Sequence, residues 1–306
     1  MIKKKILVLM SSYNGEKYIR KQIESIMEQR NISDLVLRIR DDGSKDETCN
    51  IIRDLQKIYP GKIELIEGKN VGYNASFFEL INGAEGYDYY SISDQDDVWL
   101  PAKLSVAIKA LEENDVNTPL LYASTSYLVY DDLKPYGQTR NKSRKFTIYN
   151  TIIQNICPGH TQVFNNALLS LIQGDLDTSR VYVYDSWITN VAMLYGKIVF
   201  NKSSYTLYRQ HKGNQLGSGT GKIGQLLASA KRTGTGDGLK YRHQIEYFAE
   251  KYKNKLSEEG YYKEIAKFIS SKSLLNKIKY ALTGKMYRQK RIETVAFYAA
   301  VILGKY

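Results

Sequence analysis

The sequence contains very little cysteine and no long apolar run. Cys49 and Cys157 are the only cysteines among 306 residues, and their spacing fits neither a metal site nor a disulfide framework. This pattern suits a protein of the reducing cytosol. The longest apolar stretch, Thr294–Leu303, has about half the length of a membrane-spanning helix. The apolar run Ile6–Met10 is too short for a signal peptide and predicts a first strand instead.

The positive charge lies almost entirely in the C-terminal region. The chain holds 44 Lys and Arg against 32 Asp and Glu, a formal net charge of +12. Residues 1–220 hold 26 basic and 25 acidic residues, whereas residues 221–306 hold 18 and 7. The overall basicity suggests a nucleic-acid-binding protein as one hypothesis. The near-neutral body argues against it, because such proteins interleave basic residues with aromatic side chains on a recognition surface.

The first hundred residues alternate strand and helix signals, which predicts an α/β fold with a parallel sheet and crossover helices. The predicted strands are Ile6–Met10, Leu35–Arg40, Ile63–Glu67 and Tyr89–Ser93. The predicted helices are Glu16–Gln29, Glu47–Ile58 and Ala75–Ala84, the second with Ser44 as its N-cap. Ligands of open α/β sheets bind beyond the carboxyl ends of the strands, so the turns that follow these strands should share one pocket.

The middle of the chain is less regular, and a glycine-rich stretch follows it. The predicted elements are helix Lys103–Glu113, strand Leu120–Val129, a polar loop over Asp131–Arg144, a helix near Trp187–Tyr195, strand Lys197–Phe200 and a second strand ending at Tyr208–His211. The glycines after His211 indicate a boundary between two regions, which we place near Gly221.

The acidic segment Asp94-Gln95-Asp96-Asp97 directly follows the apolar strand Tyr89–Ser93. Carboxylates at the end of a buried strand are costly unless a cation or hydrogen-bond donors compensate them. Mg²⁺ and Mn²⁺ prefer oxygen ligands, and Mg²⁺ is typically held by carboxylates together with substrate phosphates. The segment therefore indicates a metal–diphosphate site, although a solvated acidic turn is the alternative.

The ordered series of polar turns resembles glycosyltransferase family 2, whose members are inverting enzymes with the GT-A fold. The resemblance covers about residues 5–215. Its motifs are Ser12-Tyr13-Asn14-Gly15, Arg40-Asp41-Asp42-Gly43-Ser44-Lys45-Asp46, Asn70-Val71-Gly72, Ser93-Asp94-Gln95-Asp96-Asp97-Val98-Trp99, Tyr184-Asp185-Ser186-Trp187 and Tyr208-Arg209-Gln210-His211. The Asp-Gln-Asp-Asp-Val-Trp version looks most like bacterial rhamnosyltransferases of surface polysaccharide synthesis.

This resemblance implies an α/β architecture of the GT-A nucleotide-diphospho-sugar transferase type, a Rossmann-like mixed sheet flanked by helices. The catalytic domain would span residues 1–220, with a nucleotide-binding half at about 1–100 and an acceptor half at about 101–220. Residues 221–306 would form a basic helical C-terminal extension.

The nucleotide site that the resemblance implies comprises Ser12, Tyr13, Asn14, Asp41, Asp42, Asn70, Gly72 and Asp94. Tyr13 would lie near the base, and either Asp41 or Asp42 would accept a hydrogen bond from the imide N–H that uracil and thymine both carry. Taken without the resemblance, the Asp-Asp-Gly-Ser segment equally predicts a turn with a helix cap, and Asn70 and Gly72 a simple loop.

By the same resemblance, Asp94, Asp96 and His211 would bind a divalent metal, with Asp97 orienting the other carboxylates. The cation would offset the charge that develops as the nucleoside diphosphate leaves. A lone histidine is more often only a hydrogen-bonded polar group, which is the alternative for His211. The expected cofactor is Mn²⁺ or Mg²⁺, and Mn²⁺ better suits a mixed oxygen–nitrogen ligand set.

Asp185 is the candidate catalytic base on the acceptor side, although an Asp at a helix start is also a good N-cap. The commoner family pairing has an acidic residue before this Asp, and Tyr184 occupies that place here. The remaining candidates for the acceptor side and its surroundings are Asp97, Trp99, Gly159, His160, Thr161, Trp187 and Arg209. The alternatives are a core position for Trp99 and ordinary surface charge for Arg209.

The resemblance favours an enzyme that transfers rhamnose from TDP-rhamnose to a growing, lipid-linked cell-surface or capsular polysaccharide. A UDP-galactose or UDP-glucose transferase of the same pathway type is the alternative. Nucleic acid is not expected as a partner. The expected location is cytoplasmic, peripheral at the inner face of the bacterial membrane. The segment 272–285 alternates apolar and Lys residues at helical spacing and predicts contact with an anionic membrane, with a helical hairpin packed on the catalytic domain as the alternative.

Overall fold

The computed structural model describes residues 2–139, 144–211 and 237–306. Its strands are β1 (Ile2–Ser12), β2 (Ile32–Asp41), β3 (Ile63–Glu67), β4 (Tyr89–Ser93), β5 (Val98–Trp99), β6 (Leu120–Val129), β7 (Pro135–Gln138), β8 (Val163–Asn165) and β9 (Lys197–Arg209). Its α-helices are α1 (Ile19–Met27), α2 (Thr48–Ile58), α3 (Tyr73–Asn82), α4 (Lys103–Glu112), α5 (Ile148–Thr151), α6 (Asn166–Ile172), α7 (Tyr184–Tyr195), α8 (Asp237–Lys251), α9 (Lys253–Glu258), α10 (Tyr262–Ser270), α11 (Leu274–Thr283) and α12 (Arg291–Ile302). The boundary predicted near Gly221 lies outside the described residues.

The described strands form one mixed sheet in the order β3-β2-β1-β4-β8-β6-β9-β5, with β7 paired to β6. Strands β1 to β4 pair in parallel, as the alternation of strand and helix signals predicted. Strand β8 runs antiparallel to β4 and β6, and β5 runs antiparallel to β9. The sheet therefore joins a parallel N-terminal half to a mixed second half.

Both faces of the sheet are covered, because successive strand side chains point to opposite sides. In β1, Ile6, Val8 and Met10 pack with the helices α1, α2 and α4. Leu7 and Leu9 belong to the opposite core, which includes side chains of α3, α6 and α7. With both faces buried, polar groups collect where the strands end, and the carboxyl ends of β1, β2 and β4 meet at one edge.

The C-terminal helices pack on α7 and extend the second core. Trp187 of α7 is fully buried and stacks on Tyr247 of α8, with ring centroids 5.3 Å apart. The same core continues to Phe268 of α10 and Phe297 of α12. The buried side of these helices therefore packs as in the alternative prediction, a helical hairpin on the catalytic domain. Among the described helices, of which α8 is the longest at 15 residues, none is both long and apolar enough to cross a membrane.

Three local predictions were wrong, whereas the helix predicted near Trp187–Tyr195 is confirmed as α7. Ser44 does not cap α2, which begins at Thr48; its hydroxyl donates to Asp41 Oδ2 over 2.6 Å. The segment predicted as a polar loop over residues 131–144 contains β7, because β6 offers it a pairing edge. The two strands predicted after Tyr195 are the single strand β9, and α7 begins at Tyr184.

Candidate active site

The carboxyl ends of three neighbouring strands bring the predicted turns together. Ser12 at the end of β1 is in register with Asp41 at the end of β2, and Met10 is in register with Ser93 at the end of β4. The turns after these strands, which carry most of the predicted nucleotide and metal residues, therefore share one edge of the sheet, as predicted.

Asp41 stabilises the turn after β2, because its carboxylate accepts hydrogen bonds from residues of this turn and of β1. Its carboxylate accepts hydrogen bonds from the hydroxyls of Ser12 (2.9 Å) and Ser44 (2.6 Å). It also accepts from the backbone N–H groups of Gly43 (3.1 Å) and Ser44 (2.8 Å). A carboxylate offers about four lone-pair positions. These four bonds occupy them, and the side chain is buried.

Asp42 ties the same turn to the loop before α3 and keeps one acceptor position. Oδ1 accepts from Arg40 Nη1 (2.6 Å) and from the Val71 N–H (2.8 Å). Oδ2 accepts from the Gly72 N–H (2.9 Å), at a glycine whose φ of 84° is a left-handed conformation. Three bonds leave about one lone pair on Oδ2. Of the two predicted carboxylates, Asp42 thus has the capacity for a further N–H donor.

Gln95 fixes Tyr13, a contact that the sequence interpretation missed. The Gln95 side chain donates to the Tyr13 carbonyl (3.0 Å) and accepts from the Tyr13 N–H (2.9 Å). Gly15 leaves room for this amide, because a Cβ there would lie 2.8 Å from Gln95 Cδ. The ring of Tyr13 stays 45% exposed at the edge of the sheet. Asn14, at φ 47°, accepts from the Lys45 N–H and so links the two turns.

The exposed loop residue Asn70 borders the turn after β2. Its backbone nitrogen would lie 3.2 Å from a Cβ placed on Gly43, whose φ is +82°. A side chain at position 43 would therefore be strained and would crowd this loop. The turn and the loop approach each other closely only because one of the residues is glycine.

Asp96 and His211 meet although 115 residues separate them. His211 Nε2 lies 2.8 Å from Asp96 Oδ2. The ring of Tyr18 stacks on the His211 imidazole at 4.9 Å, and the Arg209 guanidinium lies 4.6 Å from the Tyr18 ring. Arg209 Nε also donates to the Asp96 carbonyl over 2.8 Å. Arg209 is therefore a buried structural contact of this pair, and Tyr18 is a neighbour that the motifs did not indicate.

Asp94, Asp97 and His160 form a second group whose ligand atoms lie within 4.8 Å of one another. His160 Nδ1 is 3.8 Å from Asp94 Oδ2. Asp97 Oδ1 accepts from the Arg209 N–H, while Oδ2 is buried without a hydrogen-bond partner among the described residues. Such an orphaned carboxylate oxygen is costly. The donor set of carboxylate oxygens and an imidazole nitrogen fits a divalent cation.

The electrostatics of this edge also favour a bound cation. Desolvation, followed by the charge of Asp96, raises the pKa of Asp94 to about 7. Burial and the same neighbouring charges raise the pKa of Asp97 well above its usual range. Burial lowers the pKa of His160 to about 3, so its ring is neutral near pH 7. A cation would relieve the repulsion between these carboxylates, and a neutral imidazole is the form in which histidine binds a metal.

Lys103 lies beneath this group and was not predicted. Its ammonium is buried, 3.2 Å from the centre of the Trp99 ring, and donates to the His160 carbonyl over 2.7 Å. The charges of Asp97 and Asp94 act on it, although burial lowers its pKa. Lys103 is thus the buried basic side chain beneath the acidic edge. Trp99 is 2% exposed, so it forms the floor beneath the site, as the core alternative predicted.

Asp185 lies in the first turn of α7 and faces the turn that carries Gly159. Its Oδ2 accepts from Asn155 Nδ2 and from the Gly159 N–H, both over 2.8 Å. Its Oδ1 accepts from the adjacent Ser186 N–H (2.7 Å), and Asp185 is not an N-cap, because Val183 holds that position. Burial raises the pKa of Asp185 although these hydrogen bonds oppose the shift. The charge of Asp185 also contributes to the raised pKa of Asp94, after desolvation and the charge of Asp96.

The other acceptor-side candidates lie in the interior. Thr161 is fully buried and its hydroxyl donates to the Pro158 carbonyl over 2.8 Å. His160 is 3% exposed, stacks on Tyr208 at 4.3 Å, and its Nε2 is 2.8 Å from Ser126 Oγ. Trp187 belongs to the core with α8, so it supports α7 and does not present a surface to an acceptor.

A mixed α/β sheet with nucleotide-type turns and an acidic cluster at its carboxyl edge defines a nucleotide-sugar transferase of the GT-A fold. This chain belongs to glycosyltransferase family 2: the sequence model of that family, "Glycosyl transferase family 2", matches residues 7–169. The chain is a glycosyltransferase, as its motifs implied.

Known proteins agree with this assignment. The chain is 30% identical over 253 residues to the dTDP-rhamnosyl transferase RfbG of Shigella flexneri, which covers 78% of this chain and 83% of that protein. The S. aureus TarS 1–349 crystal structure superposes with a TM-score of 0.58 at 16% identity, over 98% of this chain and 90% of that one. The mannosyltransferase PcManGT of Pyrobaculum calidifontis, solved with GDP-Man and Mn²⁺, gives 0.58 at 17% identity, over 99% and 86%.

Proposed function

We propose that this enzyme is an inverting, metal-dependent transferase that moves rhamnose from TDP-rhamnose to a growing cell-surface glycan. The similarity to a dTDP-rhamnosyl transferase over most of both chains supports the donor. Three observations support the mechanism: the Asp96–His211 contact, the group of Asp94, Asp97 and His160, and the buried Asp185, whose charge acts on Asp94.

Asp42 is the residue that we propose to recognise the base. Its remaining acceptor position on Oδ2 suits the N3–H of thymine or uracil, whereas Asp41 is saturated by Ser12, Gly43 and Ser44. The exposed ring of Tyr13, held by Gln95, would lie against the base. Because both bases carry the same imide donor, this contact selects a pyrimidine and not the sugar attached to it.

Asp94, Asp96 and His211 would hold the divalent cation, as the family motif implies, with Asp97 orienting the carboxylates. The group of Asp94, Asp97 and His160, whose donor atoms also fit a cation, shares Asp94 with this set. The cation supplies Lewis-acid stabilisation of the departing nucleoside diphosphate. A mixed set of oxygen and nitrogen ligands favours Mn²⁺ over Mg²⁺, and the Mn²⁺ in the PcManGT structure agrees with that choice. Asp97 keeps its orienting role because its Oδ1 is held by the Arg209 N–H.

Asp185 is the proposed general base. It removes the proton of the acceptor hydroxyl while that oxygen bonds to the anomeric carbon and the bond from this carbon to the diphosphate breaks. In the described part of the chain, Asn155 and the Gly159 N–H donate to Oδ2, whereas the neighbouring Ser186 N–H donates to Oδ1, so Oδ1 is the oxygen that would take the proton. Its raised pKa makes Asp185 a stronger base than a solvated carboxylate.

The acceptor that we propose is a lipid-linked glycan, so the enzyme would work peripherally at the inner face of the cell membrane. Residues 1–220 would form the catalytic domain and residues 221–306 the basic helical region. The sharply uneven charge of these two regions supports the division.

A calorimetric titration with TDP and UDP, each with and without Mn²⁺, tests the site. We expect metal-dependent binding to the wild type and its loss in Asp96→Ala, because that change removes one side of the His211 pair. The matched control is Asp54→Ala, which removes an exposed carboxylate paired only with Lys57. Equal nucleotide affinity with and without metal, or in Asp96→Ala, would contradict the proposed metal role.

A donor panel that measures nucleotide release tests the sugar. TDP-rhamnose should be turned over fastest. Turnover restricted to UDP-galactose or UDP-glucose would replace the rhamnose assignment by the alternative hexose transferase, with the same base contact. Family membership already favours either enzyme over the nucleic-acid-binding hypothesis.

A further inference from the structure

Helices α11 and α12 expose an apolar surface that the core does not cover. Fourteen large apolar side chains are exposed in the described parts of the chain, and seven of them lie within residues 274–303. These seven, which we call the α11–α12 face, are Leu274, Leu275, Ile278, Leu282, Ile292, Val295 and Leu303, exposed by 40 to 82%. Single exposed apolar residues are ordinary, but a concentration of this kind marks an interaction site.

The spacing places these side chains along one side of each helix. Leu274, Ile278 and Leu282 follow one another at four-residue intervals on α11, which is one stripe of a helix surface. On α12, Ile292 and Val295 are three residues apart. The opposite sides pack inward through Tyr280 and through Phe297 and Val301 of α12, all buried. Since α11 also contacts α12, the two stripes belong to one hairpin.

The basic side chains around the α11–α12 face indicate the kind of partner that this face would bind. Residues 272–306 contain eight basic side chains, at positions 272, 277, 279, 285, 288, 290, 291 and 305, and one acidic side chain, Glu293. An apolar stripe flanked by Lys and Arg matches the chemistry of an anionic lipid surface, with apolar side chains in the acyl boundary and cations at the headgroups. Two copies of this face would instead bring two strongly positive surfaces together.

We propose that the α11–α12 face is the surface by which this enzyme lies on an anionic membrane. The inference rests on the proposed function in one respect, since a lipid-linked acceptor gives membrane contact its purpose. It adds the particular surface and its orientation, which the basic composition of the C-terminal region did not specify.

The loop between the two helices is tied to the acceptor side of the active site. The Asn150 amide donates to the Tyr287 carbonyl (3.0 Å), and the Gln289 N–H donates to Gln154 Oε1 (2.8 Å). The next residue along the chain, Asn155, donates to Asp185. A membrane bound to the α11–α12 face would therefore lie at a fixed position relative to the proposed base, which suits an acceptor anchored in that membrane.

Cosedimentation with vesicles tests this surface, using phosphatidylcholine alone and an equal mixture with phosphatidylglycerol. Two variants remove one property each. The apolar variant carries Leu275→Ser, Leu282→Ser and Val295→Ser. The charge variant carries Lys272→Gln, Lys279→Gln and Lys285→Gln. The control variant removes two exposed apolar side chains elsewhere, with Ile58→Ser and Val116→Ser.

The wild type and the control should bind the anionic vesicles equally and bind phosphatidylcholine far more weakly. The apolar and charge variants should each lose at least about tenfold in partitioning, because both terms contribute to interfacial binding. A wild type that stays in the supernatant with anionic vesicles, or an apolar variant that binds as well as the control, overturns the proposal. A wild-type dimer that the apolar variant converts to monomer, without vesicle binding, assigns the face to self-association and overturns it too.

Titration with TDP and Mn²⁺ separates this proposal from the proposed function. All substitutions are at exposed positions away from the sheet edge, so each variant should bind the nucleotide like the wild type. Vesicle binding without nucleotide binding would leave the surface supported and the proposed donor site refuted. Nucleotide binding without vesicle binding would support the proposed donor site and refute the proposed membrane surface.

Discussion

Replacing Gly159 by Ala should slow transfer severely while leaving nucleotide binding intact. A Cβ at this position would lie 3.0 Å from Tyr184 Cζ, closer still to its Oη, and 3.4 Å from Asp185 Cβ. Tyr184 is 4% exposed and stacks on Phe77 at 4.2 Å, so its ring has little room to retreat. Restoring ordinary contact requires a shift of about 1 Å, and the Gly159 N–H is one of the donors that hold Asp185.

The size of the effect follows from that shift. Overpacking a core site typically costs about 1–3 kcal/mol of unfolding free energy. Misplacing a catalytic group by about 1 Å can cost on the order of 100-fold in rate. We therefore expect kcat to fall by about 100-fold in Gly159→Ala, the KM for the donor to change by less than about threefold, and the protein to stay folded, since about 1–3 kcal/mol is below the stability of a typical domain.

A double-mutant cycle with Tyr184→Phe provides the control. Removing the Tyr184 hydroxyl deletes the closest atom to the new methyl group, so Gly159→Ala should cost much less in the Tyr184→Phe background. The assay is initial-rate kinetics at saturating donor, with thermal unfolding and TDP titration on each protein. A Gly159→Ala enzyme with the wild-type kcat, or one that Tyr184→Phe does not rescue at all, would refute the packing argument around Asp185.

Three further substitutions have definite expected outcomes. Trp187→Ala should lower the unfolding free energy by about 3–5 kcal/mol in urea denaturation, because the fully buried indole joins α7 to α8; a loss below about 1 kcal/mol would contradict this. Gln95→Ala should weaken TDP binding by about three- to tenfold in calorimetry, because the backbone of Tyr13 loses two hydrogen bonds; unchanged affinity would show that the amide is dispensable. His160→Asn should flatten the decline of stability between pH 6.5 and 3, measured by urea denaturation. The unfolded imidazole binds a proton below pH 6.5, whereas folded His160, with its pKa lowered to about 3, does not. Asp94, whose pKa is raised, changes the stability in the opposite sense, but it does so in both the wild type and the variant. An equal slope in the two proteins would therefore contradict the lowered pKa of His160.

The regular elements were predictable because their signals are local. The apolar runs that became β1 and β4 are buried on both faces, whereas β3 is a partly exposed edge strand, and each of the strands β1 to β4 is followed by a polar turn. Asp96 and His211 were paired in advance through the family motif, and the structure places them 2.8 Å apart. The residues that the sequence missed, Tyr18, Gln95 and Lys103, act through contacts with segments distant in the chain. Local pattern cannot reveal such contacts.

The sequence also left open which of two neighbouring carboxylates serves the base. Asp41 and Asp42 are equivalent as residue types, and only their hydrogen-bond partners distinguish them. Four donors converge on Asp41, while Arg40 and the Val71–Gly72 backbone leave Asp42 one acceptor position. Likewise, the C-terminal periodicity predicted amphipathic helices but not which side would be buried.

Sequence alone determined the class of fold, the segments that form the parallel strands, the family, and the residue types available at the carboxyl edge. These follow from periodicity, turn chemistry and motif order, which can be read directly from the sequence. Tertiary structure alone decided which polar atoms are already satisfied, which basic side chain lies beneath the acidic edge, and which apolar side chains of the last two helices face outward. Those properties depend on the distances between residues far apart in sequence, and such distances exist only after the chain has folded.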